Sequence, residues 1–126
     1  MRSAYLVSTE RSLEDDVWCA AARMGAEVRD HVAQHRDGEG RLVTVFGALD
    51  PKEAADWQEG PFEYRGPGSA PDLSTTVAVS VECRWEDLFV SWVARLASLL
   101  PYPAWVVDGD GVVWPATDVD PAAVCL

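Results

Sequence analysis

The residues able to do chemistry are few. In AWVVDGDGVVW, residues 104–114, Asp108 and Asp110 stand two apart among glycines, a spacing found where calcium loops begin. Such a loop needs oxygen ligands at further alternating positions and a bidentate Glu at the twelfth. Here Asp110 is followed by Gly, Val, Val, Trp and Pro, and Asp118 and Asp120 would have to fold back to help. His31 and His35 lie four apart, but a metal pair there needs a third ligand, and only Glu27 and Asp30 are close. No metal and no cofactor is expected. Cys125 has no activating base nearby in sequence, and GxSxG, HExxH and a phosphate-cradling glycine loop are absent. The chain reads as non-catalytic. Glu10 and Glu82 remain, each after a strand segment. They are either charges at helix starts or two carboxylates converging on one pocket.

A hairpin accounts for residues 104–114 better than a metal loop does. With Gly109-Asp110 at the turn, Val107 faces Val112, Val106 faces Val113 and Trp105 faces Trp114. Gly in first place suits a type II′ turn; Asp110-Gly111 as a type I′ turn is the rival register. Either turn presents two carboxylates at its tip.

The elements that must position these groups follow from periodicity. Ala4–Thr9 alternates as a short strand. Ser12 opens a helix with Asp15 as its reciprocal capping partner; Leu13, Val17, Ala20, Ala21 and Met24 share one face, and Gly25 ends it. Two strands follow, about Glu27–His35 and Arg41–Leu49, joined by the loop RDGEG. The first would also suit a helix, through Val28, His31, Val32 and His35. Asp50–Leu73 is proline-rich and acidic. It predicts a short helix over Pro51–Gln58, capped by Asp50, and then a long connecting loop. Ser74–Glu82 alternates Val77, Val79 and Val81 against Ala78, Ser80 and Glu82. Trp85, Leu88, Phe89, Trp92, Val93 and Leu96 then form the apolar face of a second helix, stopped by Pro101.

A shift of 72 residues aligns Val7, Ser8, Glu10, Glu14, Asp15, Ala22 and Arg23 with Val79, Ser80, Glu82, Glu86, Asp87, Ala94 and Arg95. The expected fold is therefore α+β, one domain over residues 1–126. It has a mainly antiparallel sheet of about six strands, from two strand–helix–strand–strand repeats at about residues 4–49 and 74–126, joined by loop 50–73. Both helices pack on one face. The other face is solvated, covered by the loop, or used for binding.

Charge is the strongest compositional feature. Twenty-one acids oppose ten bases, Lys52 is the one lysine, and no Lys or Arg follows Arg95. Such a surface repels nucleic acid and anionic membranes and speeds encounter with a basic protein; solubility alone is the other reading. Three cysteines without CxxC spacing, and no apolar run in MRSAYLVSTE, predict a reduced, cytoplasmic protein.

The segment WVVDGDGVVWPATDVDPAAVCL, Trp105–Leu126, resembles the C-terminal end of small acidic actinobacterial proteins of immunity type, which neutralise secreted polymorphic toxins. It covers under a fifth of the chain. The resemblance implies a non-enzymatic inhibitor of a basic toxin domain, often a nuclease. It would bind through Asp108, Asp110, Asp118 and Asp120, with Glu53, Asp56, Trp57, Glu59 and Tyr64 from the loop. The duplicated element order resembles the GyrI-like small-molecule-binding domains, which hold apolar or cationic ligands between their repeats beside a carboxylate. That resemblance implies Glu82 or Glu10 as the pocket carboxylate and Trp85, Trp92, Trp105, Trp114 and Tyr102 as aromatic walls. The inhibitor reading expects both acid clusters on one face. The ligand reading expects a concave apolar groove between the repeats with a buried carboxylate of raised pKa.

Overall fold

The computed structural model describes residues 3–126; Met1 and Arg2, part of the segment read for a leader, lie outside the described residues. Along the chain run β1 (Ser3–Ser8), α1 (Leu13–Arg23), β2 (Glu27–Arg29), β3 (Val32–Arg36), β4 (Leu42–Phe46), α2 (Ala55–Gln58), β5 (Glu63–Tyr64), β6 (Val77–Cys83), α3 (Glu86–Ser98), β7 (Trp105–Val107) and β8 (Val112–Pro115). They form an α+β fold with one sheet in the order β2-β3-β4-β6-β1-β7-β8-β5. All pairings are antiparallel except β5 with β8.

The sheet has eight strands, not about six. One extra strand arises because Glu27–His35 is not continuous. Asp30 takes φ 54°, a left-handed conformation that Asp tolerates, and a two-residue turn at Asp30-His31 folds β2 back onto β3. The second is β5, two residues of the long loop laid beside β8.

The alternation of the central strands builds two cores. Ala4 and Leu6 of β1, Val79 and Val81 of β6 and Val106 of β7 pack under α1 and α3. On the opposite face Val7, Val107 and Val113 pack against Trp57 of α2 and Leu73. Asp50–Leu73 thus covers the sheet over β1, β7 and β8, and this second core takes nothing from β3 or β4.

Local details follow the chain's chemistry with two exceptions. Asp50 caps a 3-10 turn at Pro51–Ala54 by accepting from the Lys52 N–H at 2.9 Å, and that turn runs into α2. Gly25 ends α1 with φ 88°. The expected capping box does not form: Ser12 makes no cap bond, and its hydroxyl donates instead to Asp16 at 2.9 Å. The alignment at a shift of 72 also leaves the strands out of step, though the helices match to within a few residues. Four residues separate β1 from α1, but only Arg84 and Trp85 separate β6 from α3. Glu10 therefore lies beyond its strand, whereas Glu82 lies within one. Among the described residues no helix is long and apolar enough to cross a membrane, and no disulfide joins Cys19, Cys83 or Cys125.

Candidate functional site

The 104–114 hairpin is real, and its register is neither of those expected. Val107 pairs with Val113, Val106 with Trp114 and Trp105 with Pro115, around a three-residue loop Gly109–Asp110–Gly111. Gly111 supplies the left-handed residue of that loop, at φ 76°. Sliding by one residue changes which side chains share a face. Trp105 and Trp114 therefore point to opposite sides, Trp105 into the α2-side core and Trp114 into the helix-side core.

Asp108 explains why this register wins. It is buried, and its Oδ1 accepts the Asp110 and Val112 N–H groups at 2.9 and 3.0 Å. Its Oδ2 accepts the Trp114 indole N–H at 3.2 Å and the Cys125 N–H at 3.1 Å. One carboxylate thus closes the turn, orients Trp114 and ties down the C-terminal tail. It is not presented to a partner at the hairpin tip. Asp110 is exposed there.

The remaining acids adjoin two different cores. Asp118 and Asp120 are exposed, and the adjoining Val119 and Val124 belong to the core under α1 and α3. Glu53, Asp56 and Glu59 accompany Trp57, which is buried in the opposite core with its ring 5.0 Å from that of Tyr5. The Tyr5 hydroxyl reaches both Asp56, at 3.0 Å, and Glu53, at 3.2 Å. Burial, reinforced by those two carboxylates, pushes the phenol pKa well above its ordinary value. Tyr64 is half-buried and donates to the Pro67 carbonyl at 3.0 Å.

Glu10 and Glu82 do not converge. β1 and β6 run antiparallel, with Ser3 opposite Glu82 and Ser8 opposite Val77, so the two carboxylates sit at opposite ends of the pair. The length of β1 itself, roughly 17 Å, lies between their ends of the sheet.

Glu82 does occupy a hollow. Where the cover of the second face stops, β3, β4 and the end of β6 leave a concavity of about 590 Å³ lined by Arg36, Gly40, Leu42, Thr44, Glu82, Cys83, Arg84 and Trp85. Thr44 pairs directly with Glu82 across β4 and β6, and Leu42 pairs with Arg36 across β3 and β4. Glu82 is half-buried and makes no side-chain hydrogen bond or ion pair with any described residue. Trp85 caps the start of α3 and is 36% exposed. Arg41 steadies it, with the guanidinium 5.8 Å from the ring centroid and held by Asp37 at 2.8 Å and Asp87 at 3.0 Å. Cys83 Sγ adds a contact to the Trp85 carbonyl at 3.4 Å.

Of the five aromatic walls expected, this hollow takes Trp85 alone. Trp92 is buried in the helix-side core, with His35 stacked 6.4 Å away, and the Tyr102 hydroxyl donates to Asp16. Sequence reasoning missed Arg36, Leu42 and Thr44. The only signal was that they alternate on β3 and β4 toward the face that Glu82 shares, which is legible once the strand register is known.

His31 and His35 part company. His31 sits in the β2–β3 turn with Nδ1 2.8 Å from Glu14. Among the described residues no group of three or more His, Cys, Asp and Glu side chains could hold a metal ion. The Glu14 carboxylate also accepts the Ala48 N–H at 2.6 Å. Partial burial would raise its pKa, but the Ala48 N–H, His31 and Trp18 outweigh that and hold it below the ordinary value. A second, smaller hollow of about 330 Å³ lies beside α2, lined in part by Arg11, Glu14, Gln58 and Thr75. The chain matches no protein-family model, no curated protein and no solved structure.

Proposed function

We propose that the chain is a non-catalytic binding protein that takes a small, apolar, amine-bearing ligand in the hollow over β4 and β6. Glu82 carries this reading. It is a half-buried carboxylate without a partner among the described residues, in a concavity walled by Leu42 and Trp85. A carboxylate stripped of part of its water gains from a cation that replaces the lost solvation. The volume falls within the range usual for small-ligand sites, about 300–1,000 Å³. Arg36, whose Nη1 donates to the Gly40 carbonyl, keeps further donors for an acceptor at the ligand's other end.

The order of the sheet supports a duplicated strand–helix–strand–strand plan of GyrI-like type. β6 and β1 lie at the centre, with β4 and β3 flanking one side and β7 and β8 the other. The hollow falls at the β4–β6 seam, where the two halves of such a plan meet. Its test is a titration with apolar primary amines and with the alcohols of the same skeletons, followed by thermal shift and Trp fluorescence. The amines bind at least about tenfold more tightly than the alcohols, and Glu82→Gln removes the difference while Glu59→Gln does not. Equal behaviour of amines and alcohols, or equal loss in both variants, would refute the site.

A second reading, an immunity-type inhibitor of a basic toxin domain, is favoured by Glu53 and Asp56, which the Tyr5 hydroxyl gathers on the loop. Its docking surface would be the loop side, with Glu59, Tyr64 and the tip residue Asp110. Asp118 and Asp120 adjoin Val119, a residue of the helix-side core, and Asp108 is internal. Capture of a basic protein from lysate at low salt, released by high salt and abolished by Asp56→Asn with Glu59→Gln, is what this reading requires. Either role suits a reducing cytoplasm, given three cysteines without a disulfide among the described residues.

A further inference from the structure

The sheet ends at β2. Its three residues, Glu27, Val28 and Arg29, are all exposed, and among the described residues Val28 is one of two large apolar side chains that are. Glu27 and Arg29 make no side-chain hydrogen bond or ion pair with any described residue. Their partners across β3, Gln34 and Val32, bring them no charge.

The two-residue turn at Asp30-His31 sets the direction of the backbone groups. Arg29 and Val32 close the hairpin as a hydrogen-bonded pair, so Val28 and Ala33 form the next, non-bonded pair. The Val28 N–H and C=O therefore point outward, to the free edge. Two copies meeting antiparallel about Val28 would exchange both of these bonds. Glu27 of each copy then falls opposite Arg29 of the other, in the non-bonded positions where facing side chains come closest.

We propose that β2 is a self-association edge, and that a second copy of this chain adds to it as an antiparallel, twofold-symmetric neighbour. An edge that only resists aggregation is better served by like charges or by Pro. Here opposite charges two residues apart are complementary to themselves under a twofold axis and to no shifted register. Three residues bury less than a permanent dimer needs, so the association is weak and reversible. It makes no use of Glu82 or the hollow.

Sedimentation equilibrium of the full chain at about 150 mM salt, where the Debye length is about 8 Å and the mutual repulsion of two acidic molecules is largely screened, reads it directly. A monomer–dimer equilibrium is expected. Glu27→Arg and Arg29→Glu alone each weaken it by about tenfold or more, and the double exchange restores it to within about threefold. Circular dichroism checks that each variant is folded. A monomer at every concentration up to about 1 mM would overturn the proposal. A dimer indifferent to the single reversals, or one that the double exchange fails to restore, would do the same.

Discussion

At the scale of single residues, the chain's chemistry lies in carboxylates that look alike in sequence and differ entirely in surroundings. Asp108 and Asp110 are two residues apart, yet one accepts four hydrogen bonds inside the protein and the other stands in solvent. Asp108→Ala leaves the Trp114 and Cys125 donors unmatched and costs about 2–4 kcal/mol in urea denaturation. Amide exchange at Cys125 accelerates with it. Glu14 has a pH signature. Its folded pKa is depressed, so its contribution is complete above its unfolded value of about 4.5 and is lost as pH falls through the lower folded value. Wild-type Tm therefore drops more steeply than that of Glu14→Gln as pH is lowered below about 4.5, and the two curves run parallel above it. None of this could be read from spacing. A buried Asp and an exposed one are distinguished by what the tail and the neighbouring strand bring to them.

At the scale of elements, the strongly periodic segments were legible and the turns were not. The faces of α1 and α3 and the alternation of β6 stand where residue periodicity placed them. Trp85 is the exception: it begins α3 as a cap, not as part of the buried stripe. Registers depended on contacts distant in sequence. The three-residue loop at Gly109–Gly111 is selected by the Asp108 carboxylate and by Cys125, which no local turn rule includes. The two-residue strand β5 carries no periodic signal at all. Gly47 reports how tightly α1 approaches the end of β4. A Cβ there would lie 2.5 Å from Glu14 Cδ and 2.6 Å from Trp18 Cζ2. Gly47→Ala must push Glu14 off Ala48 and His31, and is expected to lower stability by about 1–3 kcal/mol in thermal denaturation.

At the scale of the molecule, the sheet decides what a net charge of −11 can do. It buries Asp108, leaves Asp110 exposed at the hairpin tip, and roots Asp118 and Asp120 beside the helix-side core while Glu53, Asp56 and Glu59 flank Trp57 of the opposite core. It also leaves one end of the second face uncovered, with a carboxylate, a tryptophan and arginines around the same hollow. Composition displayed the charge but not its division, because that depends on which way each strand's alternation faces.

The most direct measurement is an amide and indole NMR titration of the labelled protein with the tightest-binding apolar amine. Binding in the hollow moves Thr44, Glu82 and the Trp85 indole first, with a common affinity, and Glu82→Gln abolishes those shifts. If the largest shifts arise instead at Asp56, Glu59 and Asp110, the amine is only sampling the acidic loop side, and the hollow is not the binding site.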